Sequence, residues 1–245
     1  MPKIAIIGGS GLDDPQILQN ATEKIVGNRY GQLASPLTLG QIAGVEVVIL
    51  ARHGKTHNIM PTKINFMANI QALKDEGCTH ILATTAVGSL REEIKPGNLV
   101  FPNQFIDFTR HRNLTYFTDE VEHKAMADPY DSLLRSMLRN TCDELGFDYN
   151  YDKTVITIEG PRFSTRAESH MFRQWGADII NMSTCPEVIL ANELGLPYQT
   201  IAMSTDYDCW KTDEVPVTFE MVMQRMTENA EKVKQLLIKI IPKIK

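Results

Sequence analysis

The chain has 245 residues, of which 43% are hydrophobic and 22% charged, a balance typical of a globular protein that can fill a sizeable core. Its formal net charge of -5 at pH 7 argues against a general nucleic-acid binder, because such proteins carry surplus Lys and Arg. The four cysteines form no C-x-x-C pair, and the sequence shows neither a signal-peptide layout nor an apolar stretch of about 18 residues. We therefore expect a single domain over residues 1–245, a cytoplasmic location with reduced thiols, and neither nucleic acid nor a membrane as partner.

The first predicted strand, Ile4–Ile7, is an apolar run that stops at a glycine-rich loop containing Ser10. Glycines let backbone N–H groups approach an anion closely, and the Ser10 hydroxyl can add a donor. The loop matches neither the P-loop nor the G-x-G-x-x-G spacing, so a phosphate loop and an ordinary turn both remain open. The following segment, Asp13–Thr22, is predicted to be a surface helix or loop.

Two further strands are predicted over Leu37–Leu39 and Val45–Leu50, and the second runs straight into Arg52 and His53. An arginine beside a histidine at the end of a strand suits a phosphate or a sugar, and an exposed basic turn is the alternative. His57 follows four residues after His53, but a glycine between them disfavours a helix and no Glu stands after His53. We therefore expect no zinc site.

A helix over Lys63–Glu76 follows, and then a strand that begins at His80 and runs into a loop of small residues. In that loop the Thr85 side chain and the backbone of Ala86 can donate to an anion, because nothing bulky shields them. The alternative is a threonine-rich strand end packed under a loop. Leu99–Phe105 is predicted to be the next strand.

Residues 107–130 show little apolar periodicity and are predicted to form an extended loop, which in a compact domain is often functional or reaches a partner. A helix over Asp131–Leu145 and a strand over Lys153–Ile158 come next. A Gly-Pro pair then excludes a helix until Thr165, which leaves Phe163 displayed on a loop. An exposed aromatic ring there can stack on a flat base, and packing in a satellite core is the alternative.

The most informative stretch is a predicted strand, helix, strand unit that begins with the strand Ile179–Ser183 and continues with the helix Pro186–Leu194. Its second strand ends just before Asp206 and Asp208. In open α/β sheets the carboxyl ends of strands open into the crevice where ligands bind. We therefore hypothesise that Ser183 helps to hold phosphate while the two carboxylates contact a purine.

Four segments that can bind an anion each follow an apolar run, and a single phosphate could collect them all: Gly9-Ser10, Arg52-His53, Thr85-Ala86 and Ser183. At this point the chain resembles the trimeric purine nucleoside phosphorylase family almost from end to end. The motifs that carry the resemblance are Ile6–Leu12, Leu50–Gly54, Thr84–Ser89, Glu159–Phe163, Asn181–Thr184 and Thr205–Trp210.

The resemblance implies an α/β nucleoside phosphorylase sandwich, with a central mixed β-sheet flanked by helices. It also implies a homotrimer or a dimer of trimers, inorganic phosphate as a co-substrate, no other cofactor and no metal. The implied reaction is phosphorolysis of S-methyl-5′-thioadenosine to adenine and 5-methylthioribose 1-phosphate. A phosphorylase that prefers adenosine or methylthioinosine, and a non-catalytic nucleoside or dinucleotide binder, are the alternatives.

The resemblance also implies roles for single residues. Phosphate would be bound by Ser10, Arg52, His53, Thr85, Ala86 and Ser183. Met182 would pack under the ribose, Phe163 would stack near the base, and His123 of a neighbouring subunit would border the 5′ end. An apolar pocket for the methylthio group could come from Phe219 and Val222, on a last helix that begins after Thr218.

The chemistry of the reaction gives the two carboxylates a task. Cleavage of the C1′–N9 bond passes through a cation-like sugar, and adenine is a poor leaving group as an anion. Asp206 is therefore the candidate for supplying or holding a proton near N7, while Asp208 supports it or binds the base. Because a carboxylate accepts hydrogen bonds from a 6-amino group and disfavours a 6-oxo group, we expect adenine-type nucleosides as substrates.

Overall fold

The computed structural model describes residues 2–8, 17–213 and 218–245, with the side chain of residue 228 left out. The β-strands are β1 (Lys3–Gly8), β2 (Gln19–Lys24), β3 (Gly27–Asn28), β4 (Gly31–Gln32), β5 (Leu37–Ile42), β6 (Val45–Ala51), β7 (His80–Ser89), β8 (Leu99–Phe108), β9 (Tyr149–Ile158), β10 (Ile179–Asn181) and β11 (Tyr198–Asp206). The α-helices are α1 (Phe66–Asp75), α2 (Ser132–Leu145), α3 (Arg166–Gln174), α4 (Thr184–Glu193) and α5 (Phe219–Ile240).

The described strands other than β3 and β4 form one mixed sheet in the order β10-β9-β8-β11-β7-β1-β6-β5-β2. Strand β1 pairs in parallel with β6 and β7, and β7 pairs in parallel with β11. Strand β10 pairs with β9 in parallel and with β7 antiparallel, so one half of the sheet closes on itself as a small barrel. The carboxyl ends of β10 and β11 therefore lie beside the second half of β7, and that of β6 lies one strand away, across β1.

The core lies on both faces of the sheet, as the alternation of side chains along a strand requires. In β1, Ala5 and Ile7 belong to the cluster on one face, whereas Ile4 and Ile6 belong to the cluster on the other. Helices α1 and α4 cover the first face, and α2 and α5 cover the second. The predicted α/β sandwich with a central mixed sheet is confirmed.

Three predicted elements differ from the structure. His80–Ser89 is one continuous strand rather than a strand followed by a loop, because its backbone pairs with β1, β11 and β10 along its length. Gln19–Lys24 is an exposed edge strand on β5, where a helix or loop was predicted for residues up to Thr22. Helix α1 begins at Phe66 because Asn65 caps it, and Pro61–Lys63 before it is a separate 3-10 turn.

The long loop is shorter at its start than predicted, because β8 continues to Phe108. From residue 109 to residue 131 the chain has neither helix nor strand, in agreement with the prediction. Within the ranges that the structure describes, none of the helices combines the length and the apolar character that crossing a bilayer requires.

Candidate active site

A cavity of about 340 Å³ opens beside the second half of β7, at the carboxyl ends of β6, β10 and β11. It brings together all the predicted site residues except Ser10 and His123. The ones that line it are Arg52, His53, Thr85, Ala86, Phe163, Met182, Ser183, Asp206, Asp208, Phe219 and Val222. Hydroxyl, guanidinium and imidazole groups lie at one end, and two carboxylates lie at the other.

Two predicted site residues are not placed in this cavity. Ser10 lies outside the residues that the structure describes. His123 lies in the segment without regular structure, is exposed, and does not line the cavity of its own chain. A role for His123 through a neighbouring subunit therefore stays a prediction.

At one end of the cavity two hydroxyl groups form a pair. The oxygens of Thr85 and Ser183 lie 3.0 Å apart, and both residues are buried. The Asn181 amide donates to Thr85 at 3.3 Å and to Thr184 at 2.6 Å. Because a hydroxyl rotates freely about its C–O bond, this pair can turn its hydrogens towards an anion. Thr85 reaches this place from inside β7 and not from a loop.

Arg52 lies beside the hydroxyl pair, but it is not part of an exposed basic turn, since only 2% of its surface is exposed. Its Nε and Nη2 donate to the two carboxylate oxygens of Glu187 at 2.6 and 2.7 Å, and its Nη1 donates to the Thr84 carbonyl at 2.9 Å. Burial lowers the pKa of Arg52, but the Glu187 carboxylate outweighs burial and raises it above the ordinary value. Three of the five guanidinium N–H groups are thus engaged by the protein, which leaves two for a ligand.

The sequence reading missed Glu187, which is 1% exposed and also accepts a hydrogen bond from the Tyr198 hydroxyl at 2.9 Å. The sequence did contain a feature that indicates a buried carboxylate. Glu187 is the one carboxylate in the first turn of α4 and stands directly before the apolar run Val188–Ala191, and buried charges are almost always paired.

His53 borders the same end of the cavity. Its Nδ1 lies 2.8 Å from the Ile59 carbonyl oxygen, and its ring stacks on the His57 ring with centroids 4.4 Å apart. Burial, and next the nearby Arg52 charge, lower the pKa of His53 to about 4. The imidazole is therefore uncharged at neutral pH.

At the other end of the cavity Asp206 is held through both carboxylate oxygens. Oδ1 accepts from the backbone N–H of Asp208 and Oδ2 accepts from the Thr205 hydroxyl, each at 2.7 Å. Burial raises the pKa of Asp206 from 3.8 to about 6. A carboxyl group with such a pKa can hold or give up a proton close to neutral pH.

Asp208 has a partner that the sequence reading missed. Its Oδ2 accepts a hydrogen bond of 2.5 Å from the Ser169 hydroxyl, which lies on α3. Burial raises the pKa of Asp208, and its backbone φ of +49° is unusual for a residue other than glycine. No feature of the sequence near Ser169 pointed to this contact, because it joins residues 39 positions apart.

The rest of the lining is largely apolar. Phe163 is 43% exposed and lines the cavity, which excludes the satellite-core alternative. Phe219 and Val222 line it from the first turn of α5.

Arg112, another residue that the sequence reading missed, donates to the carbonyls of Met182 at 2.8 Å and Cys185 at 2.6 Å. It thereby fixes the backbone that places Met182 at the cavity wall.

Comparison with known proteins adds independent findings. A family model described as the Phosphorylase superfamily matches residues 3–242. The S-methyl-5′-thioadenosine phosphorylase of Danio rerio is 54% identical over 99% of this chain and 89% of its own. The methylthioadenosine phosphorylase from Schistosoma mansoni, solved in complex with adenine, superposes with a TM-score of 0.95 at 38% identity, over 99% of this chain and 91% of its own. A mutant of the adenosine/methylthioadenosine phosphorylase from the same organism, in complex with methylthioadenosine, has a TM-score of 0.94 at 37% identity, again over 99% and 91%.

Proposed function

Because this chain belongs to the phosphorylase superfamily, we propose that it catalyses the phosphorolysis of S-methyl-5′-thioadenosine to adenine and 5-methylthioribose 1-phosphate. The enzyme is thus a pentosyltransferase. One observation indicates where in the molecule this reaction takes place. A single cavity has hydrogen-bond donors for an oxyanion at one end and two buried carboxyl groups at the other.

We propose that the reaction takes place between these two ends. Departure of the base leaves positive charge on the sugar, and a phosphate held on the opposite side stabilises that charge and then captures it. Orientation of the two reactants in one cavity replaces a covalent enzyme intermediate. The proposed phosphate site comprises the hydroxyls of Thr85 and Ser183, the free N–H groups of Arg52, the His53 ring and the backbone of Ala86, with Ser10 from the glycine-rich loop.

The proposed roles of the carboxyl groups follow from their environments. Asp206, with a pKa of about 6, is our general acid towards N7 of the departing adenine. Asp208 is the group that fixes it, because the Asp208 backbone N–H binds Asp206 Oδ1. The deprotonated form of either group can accept a hydrogen bond from a 6-amino group and would face a 6-oxo group unfavourably.

The proposed 5′ subsite is the apolar part of the lining. Phe219, Val222, Met223 and Met226 all come from α5 and line the cavity without adding a charge. A methylthio group gains from burial against such side chains, whereas a 5′-hydroxyl gains little there. We therefore propose S-methyl-5′-thioadenosine as the preferred substrate. Adenosine is the second candidate, because a related structure is that of an enzyme named for both nucleosides.

We also propose that the enzyme works in the cytoplasm as a homotrimer, with residues 1–245 forming one domain. Four features support this: the resemblance to a trimeric family, the exposed position of His123, the free state of all four cysteines, and one sheet that runs through most of the chain. The trimer predicts a mass in solution three times the 27.6 kDa of one chain, which sedimentation equilibrium measures.

The experiment that tests the function is a steady-state comparison of three nucleosides with and without phosphate. We expect S-methyl-5′-thioadenosine to give the highest kcat/KM, adenosine a lower one and methylthioinosine the lowest. Release of base in every case should stop when phosphate is removed. Faster turnover of the 6-oxo compound would contradict the role of the carboxylates, and release without phosphate would contradict phosphorolysis.

A further inference from the structure

We propose that His53 acts as a hydrogen-bond acceptor in the phosphate site, so that the site selects an oxyanion that carries a hydrogen over one that does not. This inference rests on the proposed function, since it concerns the anion end of the same cavity. Residues in phosphate sites usually donate hydrogen bonds to the anion, whereas His53 would accept one from it. Such an acceptor distinguishes anions of equal charge by whether they carry a hydrogen.

The first observation is the bond at Nδ1. The Ile59 carbonyl oxygen can only accept a hydrogen bond, so Nδ1 of His53, at 2.8 Å from it, must carry the hydrogen. A neutral imidazole has one N–H and one bare nitrogen, and the bond at one nitrogen fixes which is which. Nε2 is therefore the bare nitrogen, and it has no hydrogen-bond partner within the part of the chain that the structure describes.

The second observation concerns the surroundings of the His53 ring. The ring is partly buried, it stacks on the ring of His57, and the charge of Arg52 is near enough to act on it. Burial and the Arg52 charge both disfavour a second proton, in line with the lowered pKa. At neutral pH Nε2 can then accept a hydrogen bond and cannot donate one.

The third observation concerns charge. Among the described residues that line the cavity, Arg52 is the one arginine or lysine, and its charge is matched by the two-point ion pair with Glu187. The anion end therefore carries little net positive charge of its own. Under these conditions the pattern of donors and acceptors, rather than charge, decides which anion fits.

These three observations predict that the site prefers hydrogen phosphate over sulfate. Hydrogen phosphate can accept from Thr85, Ser183 and Arg52 and can donate its own hydrogen to His53 Nε2. Sulfate has the same shape and the same charge as hydrogen phosphate, but it has no hydrogen to donate. Its oxygen lone pairs would face the bare nitrogen, and a mismatch between buried acceptors of this kind costs about 10- to 100-fold in affinity.

The test compares three oxyanions on the unmodified enzyme at about pH 8, where phosphate is mainly the hydrogen dianion and His53 is neutral. Sulfate is measured as a competitor of phosphate in the release of adenine from S-methyl-5′-thioadenosine, and arsenate is measured as a replacement for phosphate. We expect a KI for sulfate about 10- to 100-fold above the KM for phosphate, whereas hydrogen arsenate should support turnover despite its larger size. A sulfate KI within about threefold of the phosphate KM would overturn the proposal.

Two variants distinguish the effect of the His53 acceptor from the effect of its neighbouring ring. A glutamine amide can present either its oxygen or its NH₂ group, so His53→Gln should reduce the ratio of sulfate KI to phosphate KM to below about 5. His57→Gln makes the same change on the stacked neighbouring ring, and it should leave that ratio as in the unmodified enzyme. An equal fall of the ratio in both variants would count against a specific role of His53.

The outcome also distinguishes this proposal from the proposed function. If phosphate does not support adenine release, the function is wrong, and the anion preference is then measured by calorimetric titration of phosphate and sulfate into the unmodified enzyme. If His53→Gln fails to fold, as judged by circular dichroism, the comparison of the three anions on the unmodified enzyme still decides. Equal affinity for phosphate and sulfate in the titration rejects the acceptor role.

Discussion

Burial sets the acid–base behaviour of Asp206, the residue that the proposed reaction uses to protonate the base. Asp206 is 9% exposed, and its carboxyl group has a pKa of about 6, because removal from water disfavours the charged form. Two hydrogen bonds, from Thr205 and from the Asp208 backbone, oppose this effect without cancelling it. The result is a carboxyl group that can gain or lose a proton close to neutral pH.

Asp206→Asn tests this directly. We expect adenine release to fall by about 10²- to 10⁴-fold, the usual contribution of a positioned acid. The fold should not suffer, because an amide keeps one acceptor for the Asp208 N–H and can donate to the Thr205 hydroxyl, which itself lies 3.2 Å from the Val87 carbonyl. An unchanged rate of adenine release would remove Asp206 from the mechanism.

The same substitution has a predicted dependence of stability on pH. A folded-state pKa raised from 3.8 to about 6 means that the protonated group favours folding, and that this contribution is lost as pH rises through about 6. Above that pH the charged carboxylate costs up to about 3 kcal/mol, which Asp206→Asn removes. Urea unfolding at about pH 5 and about pH 8 should show the variant gaining stability relative to the unmodified enzyme at the higher pH. A loss at the higher pH would contradict the raised pKa.

Ser169 tests whether Asp208 needs its buried partner. Ser169→Ala leaves Asp208 Oδ2 without the hydroxyl at 2.5 Å, and loss of a hydrogen bond to a charged group costs about 1.5–3 kcal/mol. We expect kcat to fall by about 10-fold while the KM for phosphate stays the same, because Ser169 acts at the base end of the cavity. Ser136→Ala, on α2 far from the cavity, is the matched control and should change neither constant. A rise in the phosphate KM with kcat unchanged would contradict a role of Ser169 at the base end of the cavity.

At the scale of elements, β7 is the part of the fold that arranges the site. It carries Thr85 and Ala86 at the phosphate end and Gly88 at the base end, and it pairs with β1, β10 and β11. The sequence predicted its first residues as a strand but took the small residues after Thr84 for a loop. Ala86 and Gly88 belong to residue types that are rare in strands, and the pairing of β7 with neighbours on both sides explains why they stay extended.

Gly88→Ala tests this arrangement. An added Cβ would lie 3.1 Å from Asp206 Oδ1, 3.1 Å from Ile180 Cγ2 and 3.3 Å from Asp208 Cβ. Crowding of this kind costs about 1–3 kcal/mol, and we expect it to displace the carboxylates and to lower kcat by about 10- to 100-fold. Gly27→Ala is the control, because its added methyl group meets the end of the flexible Gln32 side chain, at 3.2 Å from Nε2. Equal kcat values for Gly88→Ala and Gly27→Ala would mean that close packing at Gly88 is not needed.

At the level of the whole molecule, the sequence predicted the class of fold and 11 of the residues that line the cavity. The predictions for the anion site and for the two carboxylates succeeded because those residues follow apolar runs, and the ends of adjacent strands meet in space. The closing of the sheet by β7 and β10 could not be predicted, because it depends on pairing between distant segments. The same holds for Ser169 and Arg112, whose hydrogen bonds to Asp208 and to the Met182 carbonyl span 39 and 70 residues. Glu187 differs, because a carboxylate directly before an apolar run indicated a buried pair, although its partner Arg52 lies 135 residues away.

The most direct test of the central claim follows the phosphate itself. The enzyme is incubated with S-methyl-5′-thioadenosine and ³²P-labelled phosphate, and the label in the sugar product is counted against the adenine released. The account predicts one labelled sugar 1-phosphate for each adenine, with both products lost together in Asp206→Asn. Adenine released without label in the sugar would show that water rather than phosphate attacks, and would contradict a cavity that holds nucleoside and phosphate together.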